Sequence, residues 1–198
     1  MNNKQKNSVE EKRFIDKISF LDSRERRSPD QILNYLEHQE LGDTLDIGSG
    51  SGFLTLPAAN RTSGVIYALD ADERMLNIIK SKSKMAYLDN IMTIHALADK
   101  IPFERQSVDT VLASLILHEV PLLEIAIKEI GRVLKEGGQL LCLEYEKDES
   151  VVKGPPMQIR IHSMELQKIL EESHFKVTKR IEFNESIYIL VAVKVVTV

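Results

Sequence analysis

The segment LDIGSGSGF, residues 45–53, places three alternating glycines directly after an apolar run. This pattern predicts a β-strand that ends in a tight turn, where the missing side chains let a ligand approach the backbone. An ordinary strand-to-helix turn needs a single glycine with positive φ. Three glycines in alternation, at Gly48, Gly50 and Gly52, therefore favour a binding function for this turn.

The next apolar run, residues 65–69, ends in a carboxylate, Asp70. A carboxylate at this strand end can accept hydrogen bonds from both hydroxyls of a ribose. The two strands and the glycine turn therefore predict a site for a cofactor that contains adenosine. The alternative role for Asp70 is to cap the following helix, although Asp72 can take that role instead.

Glycine spacing and charge discriminate between adenosine cofactors. A dinucleotide fingerprint requires its third glycine at position 53, which is Phe53, and the chain has no G-K-[ST] phosphate loop. Asp46, two positions before the first glycine, would repel a pyrophosphate but suits a ligand with ammonium and sulfonium groups. S-adenosylmethionine is such a ligand and is the predicted cofactor. These features argue against the rival class, a nicotinamide-dependent dehydrogenase.

Four ordered segments are similar to those of one known family. They are DIGSGSG (46–52), IPF with SVD (101–109), LHE (117–119) and RVLKEGG (132–138). The chain resembles the class I S-adenosylmethionine-dependent methyltransferases, of the small single-domain type related to quinone-biosynthesis C-methyltransferases. The resemblance covers roughly residues 30 to 146. It implies an α/β fold with a Rossmann-like, doubly wound, mostly parallel seven-stranded sheet whose last strand is antiparallel.

The resemblance also implies which residues bind the cofactor. They are Asp46, Gly48, Ser49, Gly50, Gly52, Asp70, Ala71, Leu97, Ala98 and Ser114. The chain departs from the family at Leu97, where an acidic residue usually contacts the adenine amino group. We interpret the adenine contact as backbone and apolar, with Asp99, two positions later, as the alternative partner.

Two candidate catalytic residues follow the fourth predicted strand, at the sheet edge where ligands bind in α/β proteins. His118 is a candidate for orienting the substrate or removing its proton, or for closing the loop through a backbone hydrogen bond. Glu119 is a candidate for pairing with a cationic substrate or for capping the next helix. Four neighbours of the predicted substrate face are expected to have ordinary surface roles: Glu144, Tyr145, Arg160 and His162.

Local signals predict the element boundaries. Ser28 and Asp72 are expected to cap helices, and Gly42 is expected to end the first of them. The glycine pair 137–138 is expected to terminate the helix that Pro121 opens. Two strands at the C-terminal end, residues 175–183 and 187–196, predict an antiparallel hairpin.

Length and composition limit the remaining possibilities. The 198 residues predict one domain, residues 29–198, behind a polar tail and possible lid of residues 1–28. Residues 14–27 are too apolar for a free tail, and we expect them to fold over the cofactor site as a lid, with permanent packing on the flank of the sheet as the alternative. The net charge of −4, with dispersed basic residues, does not indicate a nucleic-acid partner. No apolar run reaches about eighteen residues, so no membrane span is expected.

The single cysteine, Cys142, lies in an apolar run and is predicted to be a buried, reduced thiol. A cytoplasmic location fits this cysteine usage and the lack of a secretion signal in the polar N-terminal sequence. No metal site is predicted. The function that these observations favour is methyl transfer to an unidentified small-molecule acceptor. The alternative is an S-adenosylmethionine-binding module without catalysis, and the oligomeric state stays open.

Overall fold

The computed structural model describes residues 28–150 and 154–196. Seven strands form one sheet in the order β3-β2-β1-β4-β5-β7-β6. The strands are β1 Thr44–Ile47, β2 Ile66–Asp70, β3 Ile91–His95, β4 Val108–Ser114, β5 Leu134–Tyr145, β6 Phe175–Asn184 and β7 Ile187–Lys194. Strands β1 to β5 pair in parallel, whereas β7 runs antiparallel to both β5 and β6. The predicted fold class and the C-terminal hairpin are confirmed.

In residues 28–150 and 154–196, five α-helices connect and cover these strands. They are α1 Pro29–Leu33, α2 Thr55–Ala59, α3 Glu73–Met85, α4 Leu123–Val133 and α5 Ser163–Glu172. Both predicted caps are confirmed, because Ser28 accepts from the Gln31 amide and Asp72 accepts from the Arg74 amide. The prediction that Gly42 ends α1 is wrong. The helix stops at Leu33, and Gly42, with φ of 59°, turns the chain into β1.

The glycine pair before β5 also differs from its prediction. Helix α4 ends at Val133 and β5 begins at the next residue, so the glycines lie inside the strand. A Cβ atom on Gly138 would lie 2.8 Å from the Lys135 carbonyl oxygen and 2.9 Å from that of Asp109. Close approach of two backbones, where the register between β4 and β5 shifts, therefore explains this glycine.

Both faces of the sheet are covered. Val111 and Cys142 face the cluster that contains α4 and α5, whereas Leu112 and Leu141 face the cluster that contains α1 and α2. A central strand covered on both faces is apolar at successive positions, as β5 is. Cys142 is fully buried, and burial raises the pKa of its thiol. The predicted buried cysteine is confirmed.

The predicted tail and lid lie outside the described residues, apart from Ser28. The same is true of the apolar segment 14–27. Within the described residues, no helix is both long and apolar enough to cross a membrane.

Candidate functional site

A cavity of about 1030 Å³ opens at the carboxyl ends of the parallel strands. Its walls are the glycine turn after β1, residues 69–73 after β2, residues 95–99 after β3, and residues 114–116 and 119–121 after β4. Loops that follow adjacent parallel strands meet at one edge of the sheet, which is where α/β proteins bind ligands. We call residues 114–116 and 119–121 the β4 wall.

The glycine turn brings its backbone directly against the β4 wall. Gly48, Gly50 and Gly52 all have positive φ, at 63°, 54° and 92°. A Cβ atom on Gly48 would overlap the side chain of Ile116. Gly48 and Gly50 line the cavity, so a ligand there meets bare backbone. Gly52 does not line the cavity.

Asp70 joins the first two loops of the cavity. Its Oδ2 accepts a hydrogen bond from the Gly50 amide at 2.8 Å, and its Oδ1 accepts one from the Asp72 amide at 2.8 Å. Each carboxylate oxygen can accept a further hydrogen bond, so Asp70 retains acceptor capacity toward the cavity that it lines. This geometry fits a ligand that carries vicinal hydroxyls.

Asp46 lies behind the cavity and does not line it. It is 2% exposed, and the Thr55 hydroxyl donates to its Oδ2 at 2.6 Å. Burial raises the pKa of Asp46 to about 7, with the Thr55 hydrogen bond opposing the shift and the charge of Asp70 adding to it. The carboxyl is therefore partly protonated near neutral pH. Direct contact between Asp46 and a ligand stays a prediction.

The walls that follow β2 and β3 each hold a residue that the sequence patterns did not single out. His95 lines the cavity, and its Nε2 lies 3.0 Å from the carbonyl oxygen of Ala71. Glu73, in the first turn of α3, also lines it. Leu97 stands exposed at the cavity, beside Asp99. The signal that could have found His95 is its position at the carboxyl end of a parallel strand, beside the strand that ends in Asp70.

The β4 wall carries two polar side chains among apolar ones. The hydroxyl of Ser114 is buried and has no hydrogen-bond partner in the described residues. A polar group that lines a cavity without a partner is suited to a ligand contact. Glu119 also lines the cavity, with its side chain 53% exposed.

His118 points away from the cavity and into the protein. Its side chain is 6% exposed, and its Nδ1 lies 2.7 Å from Oε2 of Glu144. The Leu117 amide donates to Oε1 of the same carboxylate at 2.7 Å. Glu144 is fully buried, so its charge is compensated by these two donors. The pair fastens the turn Leu117–Glu119 to β5.

The surface roles predicted for Glu144, Tyr145 and Arg160 are wrong. Glu144 and Tyr145 are buried because β5 extends to Tyr145 and pairs with β7 up to that point, and Arg160 is buried in the segment between β5 and α5. The Arg160 guanidinium lies 5.8 Å from the centre of the Tyr145 ring and donates to the Pro155 carbonyl at 2.9 Å. His162 is half-exposed and caps α5, accepting from the Met164 amide at 3.1 Å.

The structure brings most of the predicted site residues together. Those that line the cavity are Gly48, Gly50, Asp70, Ala71, Leu97, Ala98, Ser114 and Glu119. Those that do not line it are Asp46, Ser49, Gly52 and His118. In the part of the chain that the structure describes, no group of three or more His, Cys, Asp or Glu side chains is placed to hold a metal ion.

Comparison with known proteins agrees with this geometry. Residues 45–142 match the sequence family described as a methyltransferase domain. A demethylmenaquinone methyltransferase from Staphylococcus aureus (strain MRSA252) is 37% identical over 97 residues, which cover 49% of this chain and 39% of the relative. The match therefore spans about two fifths of that relative's length.

Solved structures extend the similarity to most of the chain. A SAM dependent methyltransferase from Aquifex aeolicus has a TM-score of 0.78 and 26% identity, covering 85% of this chain and 90% of its own. The [4+2]-cyclase SpnF has a TM-score of 0.75 and 20% identity, covering 86% and 82%, which shows a shared fold. The glycine turn, the carboxylate after β2 and these similarities agree, and the chain belongs to the class I S-adenosylmethionine-dependent methyltransferase family.

Proposed function

We propose that this protein transfers a methyl group from S-adenosylmethionine to a small-molecule acceptor in the cytoplasm. The observation that carries the proposal is Asp70, which is held by the Gly50 and Asp72 amides and lines the cavity beside the glycine turn. A carboxylate in that position suits the ribose hydroxyls of an adenosine ligand. The family match over residues 45–142 supports the same reading.

Different residues of the cavity would bind different parts of the cofactor. Bare backbone at Gly48 and Gly50 would hold the amino-acid end of the cofactor, and Asp70 would hold its ribose. Leu97 and Ala98 would contact the adenine through apolar surface and backbone. S-adenosylmethionine supplies a methyl group on a sulfonium, which makes the sulfur a good leaving group. The protein then has to align the acceptor and exclude water.

The β4 wall is the surface that would contact the acceptor. Glu119 lines the cavity and is the stronger candidate for touching it. His118, with its Nδ1 directed at Glu144, is better suited to hold the turn that carries Glu119. The name of the Staphylococcus aureus relative makes a quinone-related acceptor one candidate, from a match that covers 39% of that protein.

A second candidate function is cofactor binding without methyl transfer. The [4+2]-cyclase SpnF shows that this fold occurs in a protein named for a different reaction. Leu97 adds to this possibility, because it stands where the family usually has an acidic residue. Turnover of any acceptor would exclude the second candidate.

Calorimetric titration with S-adenosylmethionine, S-adenosylhomocysteine and NAD tests the proposal. We expect the first two ligands to bind and NAD to give no heat. Binding of NAD without binding of S-adenosylmethionine would overturn the proposed function. Methyl transfer to a panel of amines, phenols, thiols and quinols, followed by mass spectrometry, then separates catalysis from binding alone.

A further inference from the structure

We infer that the acceptor is an amphiphilic amine: an apolar body with a protonated amino group that Glu119 binds. This inference rests on the proposed function and names the substrate class of the same site. It differs from a quinone-related acceptor, which carries no such charge. It assigns the group that holds the acceptor in place and not the atom that receives the methyl group.

The first observation is the sign of the charge around the cavity. Among the described residues, the lining side chains with a formal charge at neutral pH are all carboxylates: Asp70, Asp72, Glu73, Asp99 and Glu119. No lysine or arginine of the described segments lines the cavity. An anionic acceptor would therefore meet only like charges there, whereas a cation would be attracted.

The second observation separates Glu119 from the other carboxylates. Asp70 accepts two backbone amides and is assigned to the ribose, and Asp72 caps α3 and pairs with Arg74 at 2.7 Å. These two, with Glu73 and Asp99, belong to the walls that follow β2 and β3. Glu119 belongs to the β4 wall, and β4 lies on the other side of β1 in the sheet. The Oε1 atom of Glu119 lies 4.0 Å from Nε2 of His118, at the limit for an ion pair and too far for a hydrogen bond. Binding of the cofactor gives no reason for a carboxylate at this position.

The third observation is the surface around Glu119. Leu115, Ile116, Val120 and Pro121 make the rest of this wall apolar, apart from the unpartnered hydroxyl of Ser114. An apolar wall buries a hydrocarbon body, and a carboxylate at its exposed end binds an ammonium group. Ser114 offers a second hydrogen-bonding group from the inner end of the wall. These features together fit an amine with an apolar body.

Three probes with the same eight-carbon chain test the inference: octylamine, octanol and octanoate. Each is titrated at pH 7 into protein saturated with S-adenosylhomocysteine, and binding is followed by NMR chemical shifts. We expect octylamine to bind about fivefold more tightly than octanol, in the range of a partly exposed ion pair. Octanoate should bind most weakly.

The variant Glu119→Gln should remove the preference for octylamine and leave octanol binding unchanged. Glu124→Gln is the matched control, because Glu124 is exposed on the first turn of α4 and does not line the cavity. It should keep the fivefold preference. Equal binding of octylamine and octanoate, no binding of octylamine, or an unchanged preference in Glu119→Gln would each overturn the inference.

Binding of S-adenosylhomocysteine, measured first in all three proteins, separates two kinds of failure. If S-adenosylhomocysteine does not bind to the unmodified protein, the proposed function fails. If it binds equally to all three proteins while the probes show no charge preference, only the amine inference fails.

Discussion

Two parts of the cavity are held in place in different ways: the β4 wall, and the glycine turn with the walls that follow β2 and β3, which we call the cofactor half. In the cofactor half, the Gly50 amide of the glycine turn donates a hydrogen bond to the side chain of Asp70, which is twenty residues away. The β4 wall continues into the turn Leu117–Glu119, which is fixed from behind by Glu144, a buried residue on β5. A site made of glycine backbone and one carboxylate is compatible with few substitutions. The side chains of a wall that is supported from another strand can be substituted more freely. Under the proposed function, the first half would bind the cofactor and the second would contact the acceptor.

The two halves touch at Gly48, and filling that contact should have the largest effect. Gly48→Ala combines a positive φ with overlap between the new Cβ and Ile116. We expect the free energy of unfolding to fall by roughly 2–5 kcal/mol, from backbone strain and overpacking together. Urea denaturation measures this loss.

Gly137→Ala is the matched control for that contact. Gly137 also has positive φ, at 74°, but an added Cβ there would have no neighbour within 4 Å. It should lose only the strain contribution, about 1–2 kcal/mol. Equal losses in the two variants would show that the contact between the two halves is loose.

Asp46, behind the cofactor half, should make the unfolding free energy of the protein depend on pH. Its pKa of about 7 in the folded protein lies above the ordinary 3.8, so the folded state holds a proton that the unfolded chain releases. The resulting stabilisation of the folded state is at most about 4 kcal/mol. It is fully present below about pH 4 and is lost as the pH rises to about 7. Asp46→Asn should show a flatter dependence of the unfolding free energy on pH over this range. Parallel curves for the two proteins would contradict the raised pKa.

Removing the Asp70 carboxylate should weaken ligand binding, and it should also lower stability because the Gly50 and Asp72 amides lose their acceptor. We expect Asp70→Ala to lower the affinity for S-adenosylhomocysteine by roughly 1.5–3 kcal/mol, the range for hydrogen bonds to a charged group. Asp89→Ala, at an exposed position outside the cavity, is the control and should bind normally. Unchanged affinity in folded Asp70→Ala would leave Asp70 with a structural role alone.

The support behind the β4 wall should affect the cofactor least. Glu144→Gln keeps an acceptor for the Leu117 amide but places an amide group against Nδ1 of His118. We expect a loss of roughly 1–3 kcal/mol in stability, because a buried polar pair is mismatched. Affinity for S-adenosylhomocysteine should stay within about twofold on calorimetric titration, since the variant leaves the glycine turn and Asp70 in place. A large loss of cofactor affinity would show that the two halves are coupled.

The difference between the halves also explains what the sequence could predict. The two strands that flank the glycine turn, the caps at Ser28 and Asp72 and the cavity position of Asp70 follow from local patterns of glycine, acid and apolar residues. The burial of Glu144 does not, because it depends on how far β5 extends and on its pairing with β7. A glutamate next to a tyrosine at the end of an apolar run is also typical of a strand that emerges into solvent.

The two wrong glycine assignments have the same physical cause. Gly42 and Gly138 look like helix terminators because glycine commonly follows a helix. In the structure, Gly42 packs against the Asp109 side chain, and Gly138 lies against the Asp109 backbone and Lys135. The contacts with Asp109 join residues that are distant in sequence, so no local pattern contains them.

Because Cys142 is buried, the reactivity of its thiol can be used to measure local unfolding around β5. The chain has one cysteine, its thiol is inaccessible in the central strand β5, and its raised pKa disfavours the reactive thiolate. A thiol reagent should therefore label the protein only when β5 separates from its neighbours. The labelling rate would then report the free energy of that opening under native conditions. Methyl-transfer assays in which an added enzyme hydrolyses S-adenosylhomocysteine, and the free thiol of the released homocysteine is detected, would have little background from this buried cysteine.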